Sequence, residues 1–595
     1  MNLWYRARTA LLLGHATTVA APPLSAPSRV RANDETLAPR PLTWARVTAL
    51  ALPLGLFLVA LAPRLMLARS LDLVTDEGVY IPVGQLDYGL LTSGHFASQS
   101  WLANIEAPPL PKLFIGLGAT LGAALSPSSG WLIGARLPGV LVSALMLVVA
   151  YHLAKPIFGQ LAATLGVLAL ALSPWISYFA ALAYLDTYML SFVTLAVLLT
   201  WHAARRPRLW PLVAVMLGLA FASKYTAALA LIPMAGYLTY YYAVVVKRKP
   251  SRLLLWSVPV LLLTIYVADP TIWMSPIDRL WSSIIWQWGH ASNGHLTFWN
   301  GKVVDHVPMG EGLFILLAKT SVFVTGPALL ALPWLVYRVW GAGRAPSALD
   351  DRAAFALCWF GGLLIPFSML TIVVGTHYML PLAPPAAFVG TWALLRGSVW
   401  TLGRLTRFSL LLRRRLMRVR TGAAGNVARV ALAATAWRPR PLRSKRVRVQ
   451  LLVMVICLLV TAPPAYGLLT ISQAEGYTSE WLPGENSSLQ VAYPAYGDAI
   501  QWVVDHTHGN VTVALVALNG TLNYWMESRP QAFPQRVKLI VGTPYAIPKA
   551  QYVIWPEHLI QREFPTPPNW QHHIVETING GGTTYCYILR LSAKT

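Results

Sequence analysis

The feature that most constrains this chain is a recurring one: long apolar runs, several of roughly 20 residues with no internal charge. The runs lie near 46–68, 131–152, 161–179, 187–201, 209–222, 227–246, 253–268, 312–337, 353–374, 378–395 and 449–470. A bilayer core about 30 Å thick is crossed by about 20 helical residues. Only 12% of the 595 residues are charged, about half the share of a soluble chain. A polytopic α-helical membrane protein follows. The net charge of +24 does not indicate nucleic acid as a partner, because Arg and Lys sit in short patches between the apolar runs. That distribution is a topology signal. Cys358, Cys457 and Cys586 are too scattered for a disulfide framework or a metal cluster.

The run at 111–125 is apolar but short, and the basic residues decide its placement. If it lies in the outer interface, the inside receives the N-terminal arm, Lys155, Arg205, Arg206, Arg208, Lys247–Lys249, Arg338 and the Arg-rich stretch 396–448. The outside then keeps only Arg69, Lys112, Arg136, Lys224, Arg279 and Lys302 before the tail. The expectation is about eleven spans, with the N-terminus cytoplasmic and the C-terminus extracytoplasmic. Residues 1–45 read as a disordered cytoplasmic arm, since their apolar run at 10–13 is too short for a signal peptide. Residues 46–395 form the membrane module and 449–470 its last span. The loop 396–448, with Arg413-Arg414-Arg415, reads as a solvated segment held at the anionic inner leaflet. Residues 471–595 alternate apolar runs with Asn-Gly and Gly-rich turns, which predicts a small extracytoplasmic α+β domain. Sequons at Asn486, Asn510 and Asn519 agree with that side.

Two long loops, 69–130 and 270–311, face outside before the tail. The first opens on Thr75-Asp76-Glu77-Gly78-Val79-Tyr80, and two adjacent carboxylates beside a membrane are costly and usually functional. A carboxylate there can serve as general base on a hydroxyl. Outer cations, with Lys112, Arg136, Lys224 and Lys302 available, can hold a phosphate leaving group. Asp186 stands at the outer mouth of a span, as a helix N-cap or a functional acid. The Trp-rich second loop, with Trp299, can cover the site, although Trp at this density is also an interfacial belt. Asp72, Asp76, Glu77 and His95 match no metal-ligand spacing, so no metal and no cofactor are expected, and activity should survive chelation of divalent ions.

A longer pattern runs through residues 70–325. The acidic pair is followed by Glu106-Ala107-Pro108-Pro109-Leu110-Pro111-Lys112-Leu113 and Ala135-Arg136-Leu137-Pro138-Gly139. Then come Ala183-Tyr184-Leu185-Asp186-Thr187-Tyr188, Gly218 to Thr226 with Ser223-Lys224-Tyr225, Gly294-His295-Leu296-Thr297-Phe298-Trp299-Asn300-Gly301, and Ala318-Lys319-Thr320. In this order the set resembles the GT-C glycosyltransferases of the dolichyl-phosphate-mannose-protein mannosyltransferase and aminoarabinose-transferase group. The resemblance implies a GT-C fold. It implies transfer of a sugar, mannose or another hexose or pentose, from a polyprenyl-phosphate donor to an acceptor hydroxyl on the outer face, with inversion. It places the catalytic carboxylate at Asp76 with Glu77 beside it. Donor binding carries onto Arg136, Asp186, Lys224 and His295. Where the family often has His-Pro-Pro, this chain has Glu106-Ala107-Pro108-Pro109, and it lacks an internal sugar-binding insert. The acceptor is then a protein hydroxyl, or a lipid or envelope glycan. A transporter would carry its charges at mid-bilayer, and a non-catalytic scaffold would turn over no lipid-linked sugar.

Overall fold

The computed structural model describes residues 44–74, 76–126, 130–293, 297–341, 345–371, 375–419, 445–471, 474–482, 489, 491–518 and 533–591. Most of the N-terminal arm, the Arg-rich segment 420–444 and the sequons at Asn486 and Asn519 therefore lie outside the described residues. The chain divides into an N-terminal unit, 1–55, of which the start of the first helix is described, and a large unit, 56–595.

The helices of the membrane part are α1 Trp44–Ser70, α2 Glu77–Thr92, α3 Leu110–Leu125, α4 Gly130–Phe158, α5 Gln160–Ala171, α6 Pro174–Ala181, α7 Leu185–Arg205, α8 Trp210–Phe221, α9 Leu231–Tyr240, α10 Arg252–Ala268 and α11 Pro276–Asn293. A hairpin follows, β1 Thr297–Trp299 and β2 Lys302–Val304. Then come α12 Glu311–Lys319, α13 Val322–Trp340, α14 Ala348–Met369, α15 Ala383–Val419 and α16 Lys445–Thr470.

Among the described residues eight helices are long and apolar enough to cross a membrane, or nine if the bent pair α5–α6 is one span. All eleven expected apolar runs are helical, two of them in helices too short to be counted among these. Two of the expected runs fall short as helices: α8 has 12 residues and α10 has 17. Polar breaks cause the shortening, with Ser223-Lys224 ending α8 and Asp269-Pro270 ending α10. The run at 161–179 bends by 59° between α5 and α6. Ser173 caps the new helix there, its hydroxyl accepting from the amide of Ile176 at 3.3 Å. The run at 312–337 divides at Thr320-Ser321 into α12 and α13. The 16-residue α3, over the short run at 111–125, is likewise below span length.

Glycines set the spacing of α2, α3 and α4. A Cβ on Gly116 of α3 would fall 1.9 Å from the carbonyl oxygen of Gly84 of α2. On its other side, Cβ atoms on Gly118 and Gly122 would fall 2.2 and 2.1 Å from the carbonyls of Gly134 and Gly130 of α4. The three helices thus meet backbone to backbone, as small residues allow in membranes. This contact fixes the start of α2, which carries Glu77 and is capped by Asp76, against the helix that carries Arg136.

The tail folds as a mixed sheet flanked by short helices. Its elements are α17 Tyr496–His506, β3 Val511–Val516, β4 Val537–Gly542, β5 Tyr552–Pro556, α18 Glu557–Ile560, β6 Ile574–Gly580 and β7 Thr583–Arg590, in the order β4-β3-β5-β7-β6. The pairs β3–β4 and β3–β5 are parallel; β5–β7 and β6–β7 are antiparallel. Val516, Val553, Trp555, Leu559 and Leu589 form its core. The domain is tied to the membrane part by polar contacts. Lys319 Nζ donates to the carbonyls of Glu475 (2.7 Å) and Tyr477 (3.0 Å). The Val322 amide donates to Glu480 at 2.8 Å. Asp72 accepts from the Gly497 amide at 2.7 Å and from the Tyr493 hydroxyl at 3.2 Å. The Asp72 loop is the one that leads to Asp76, so the tail domain is clamped beside the acidic pair.

Candidate active site

The two adjacent carboxylates have different surroundings. Glu77 is completely buried. Its Oε1 accepts from Arg136 Nε (2.7 Å) and the Ala183 amide (2.8 Å), and its Oε2 from Arg136 Nη2 (2.6 Å) and the Val74 amide (3.1 Å). Arg136, also completely buried, gives its remaining N–H groups to the carbonyls of Ala68 (2.9 Å), Leu71 (2.8 Å) and Asp72 (2.7 Å). A guanidinium has five N–H donors, and all five are spent. The pair holds the 68–77 turn in shape, and Arg136 has no donor left for a phosphate.

Asp76 sits one residue earlier, at the N-cap of α2, with its carbonyl accepting from the amides of Val79 and Tyr80. Its side chain is half-buried, and the Tyr184 hydroxyl beside it favours the ionised form. Burial pushes its carboxyl up to about 6, aided by the charges of Glu106 and Asp186, while Tyr184 and Lys224 pull it down. That is a carboxylate more basic than usual yet ionised at neutral pH, as a general base requires.

Asp186 is not the side-chain cap of its helix; it pairs with Lys224, Nζ to Oδ1, at 2.8 Å. The same ammonium lies 3.9 Å above the ring of Tyr378. Burial alone would lower it, but Asp186, Tyr378 and Asp76 more than offset this and hold it raised and protonated. Among the described residues, one of its three N–H donors is engaged by a hydrogen bond. Around Asp76 stand Tyr80 and Tyr184, rings 6.0 Å apart, and His377, 5.7 Å from Tyr184 and 4.7 Å from Tyr378.

Lys112 is buried, and its Nζ donates to the Asn104 carbonyl (2.9 Å), Asn104 Oδ1 (3.2 Å) and the Ala107 carbonyl (2.9 Å). It shapes the turn around Glu106 and has no proton to spare for a donor. Trp299 packs edge-on against Phe314 at 4.8 Å and pairs through its backbone with Leu489 of the tail. His295 lies outside the described residues. Among the described residues no three His, Cys, Asp or Glu come together as a metal-ligand group.

Four chain segments thus deliver the site, each at the start of a helical element: Asp76 before α2, Tyr184 and Asp186 at α7, Lys224 before the 3-10 turn Tyr225–Ala230, and Tyr378 in the 3-10 turn Thr376–Leu382 that leads into α15. Helix starts carry partial positive charge and unsatisfied N–H groups, so their convergence favours an anion. Sequence reasoning singled out Asp76, Asp186 and Lys224 but not Tyr184, Tyr378 or His377. The first adjoins Asp186 in the motif already quoted. The other two stand in the polar Gly375-Thr376-His377-Tyr378 break before an apolar run, a signal that was there to be used.

Residues 106–273 match the family model described as dolichyl-phosphate-mannose-protein mannosyltransferase. The matched stretch begins at Glu106 and contains Lys112, Arg136, Asp186 and Lys224, and it supports the GT-C resemblance read from the sequence. No curated protein matches the chain by sequence. Among solved structures, ArnT from Cupriavidus metallidurans bound to undecaprenyl phosphate is similar, at 16% identity and a TM-score of 0.46, over 93% of this chain and 99% of that one. Its apo form gives 17% and 0.44, over 91% and 98%. An oligosaccharyltransferase from Archaeoglobus fulgidus, in complex with Zn and sulfate, gives 12% and 0.41, over 85% and 68%.

Proposed function

We propose that this protein is an inverting membrane glycosyltransferase that moves a sugar from a polyprenyl-phosphate donor to an acceptor hydroxyl at the extracytoplasmic face. The observation that carries the reading is the Asp76 environment: a basic, half-buried carboxylate beside a protonated lysine with donors to spare, at converging helix starts. Asp76 takes the proton of the acceptor hydroxyl as its oxygen attacks the anomeric carbon. The bond from that carbon to the phosphate oxygen breaks, and the lipid phosphate leaves with the electron pair. Lys224 and the helix starts stabilise the charge that grows on it. Attack opposite the leaving phosphate inverts the anomeric centre.

The finer reading is mannose, or another hexose or pentose, delivered to a protein hydroxyl. Its support is the description of the matched family. Placement in the cell membrane with the N-terminus inside and the tail domain outside is supported by the charge count along the chain. The test is turnover in proteoliposomes carrying native polyprenyl-phosphate sugars, followed by mass spectrometry. Consumption of the glycolipid with release of polyprenyl phosphate is expected. No release with any acceptor supplied, protein or lipid, would leave a transporter or scaffold as the better reading.

A further inference from the structure

The cations expected to meet the donor phosphate are mostly committed elsewhere. Arg136 and Lys112 have spent every donor, and Lys224 shares its charge with Asp186. The described surroundings of Asp76 hold three carboxylates, Asp76, Glu106 and Asp186. A phosphate entering there needs another positive group.

The tail domain offers one. Strand β5 runs into α18, and the chain then turns through Gln561, Arg562 and Glu563, the last with φ 55°. Gln561 fixes this turn: its side-chain oxygen accepts from the Val491 amide at 2.8 Å. The neighbouring Leu489 pairs with Trp299 of the outer hairpin. On the other side, Tyr493 and Gly497 hold Asp72, four residues before Asp76. The turn is therefore tied to both outer loops of the membrane part. Arg562 is half-buried, lies within electrostatic range of Asp76, and has no ion-pair partner among the described residues. Its Nε is buried without a hydrogen-bond partner. A buried guanidinium N–H without an acceptor is costly, and an anion supplied by a ligand removes the cost.

We propose that Arg562 is an anion-binding residue of the membrane site, contributed by the tail domain, which holds the phosphate of the lipid donor. This rests on the donor class proposed above. Arg562 and Lys224 then approach the phosphate from the tail domain and from the membrane helices, and the tail domain is part of the active site.

The test is binding of farnesyl phosphate to the full-length protein in nanodiscs, with farnesol and inorganic phosphate as competitors. Arg562→Gln and Arg562→Lys are compared with wild type, with Arg590→Gln at an exposed strand end as control. Loss of one charge-assisted hydrogen bond predicts about tenfold to a hundredfold weaker binding for Arg562→Gln, a smaller loss for Arg562→Lys and none for Arg590→Gln. In turnover the same change should raise the donor KM. It should also move the acid limb of the pH profile upward, because a positive charge near Asp76 is gone; a purely structural residue would not produce that shift. Wild-type affinity for farnesyl phosphate with equal binding by Arg562→Gln overturns the inference and leaves the proposed function standing. Inorganic phosphate binding as tightly as farnesyl phosphate overturns the donor assignment. No wild-type preference for farnesyl phosphate over farnesol overturns both readings.

Discussion

The carboxyl of Glu77 accepts four hydrogen bonds, two of them from Arg136, whereas that of Asp76 is half-buried beside Tyr184 and near Lys224. Breaking a buried pair such as Glu77–Arg136 costs about 3–5 kcal/mol, so Glu77 is committed to the fold, and Asp76 is the carboxylate that the proposed chemistry uses. A prediction follows from the raised Asp76 carboxyl, about 6. The base must be ionised, so kcat/KM rises with pH through about 6 and levels off above it. The Tyr184 hydroxyl favours the ionised form and lowers the value, so Tyr184→Phe should move the acid limb to higher pH. A limb that stays in place or moves down contradicts the assignment. In the sequence the preference for Asp76 over Glu77 rests only on a resemblance, and the burial of Glu77 against Arg136 is not legible there, because Arg136 lies 59 residues from Glu77 and Ala183 lies 106 away. The same distances hid that Arg136 and Lys112 are spent on the fold.

At the scale of elements, the site depends on α2, α3 and α4 touching through glycine. The Cβ of Gly116→Ala would sit 1.9 Å from the Gly84 carbonyl, so α2 must move and take Asp76 with it. Overpacking of this kind costs about 1–3 kcal/mol, read as a lower melting temperature together with reduced turnover. Gly89→Ala, on the same α2 but with open space around its Cβ, should change neither; equal effects of the two would refute the packing account. The apolar runs themselves were plain in the sequence, since charge-free windows leave few alternatives in a bilayer. What hydropathy could not give is where a run bends or stops short. Ser173-Pro174 bends one run by 59°, while Ser223-Lys224 ends another at the very place where the lysine meets Asp186. The breaks that bend or end these runs also supply candidate site residues.

Across the whole molecule, the tail domain is joined to the membrane part through Asp72, Lys319 and Glu480, and it leans over the loop that carries Asp76. The sequence marked this domain as separate and mixed in structure, with strands near Val511, Val537 and Tyr552. It held no sign of docking, because no local pattern in 471–595 refers to residue 72. Asp72→Ala leaves the Gly497 amide and the Tyr493 hydroxyl without their carboxylate, at about 1–3 kcal/mol for each buried group. Faster proteolysis within 474–591 in proteoliposomes is expected, with weaker turnover; unchanged cleavage would mean that the clamp does not hold the domain. The central claim is transfer from a polyprenyl-phosphate sugar with Asp76 as base, and one comparison tests it most directly. Wild type and Asp76→Asn, reconstituted side by side with native glycolipid and acceptor, are assayed for released polyprenyl phosphate and for melting temperature. The account predicts turnover lower by about 10²–10⁴ at an unchanged melting temperature. Undiminished turnover in Asp76→Asn would contradict it.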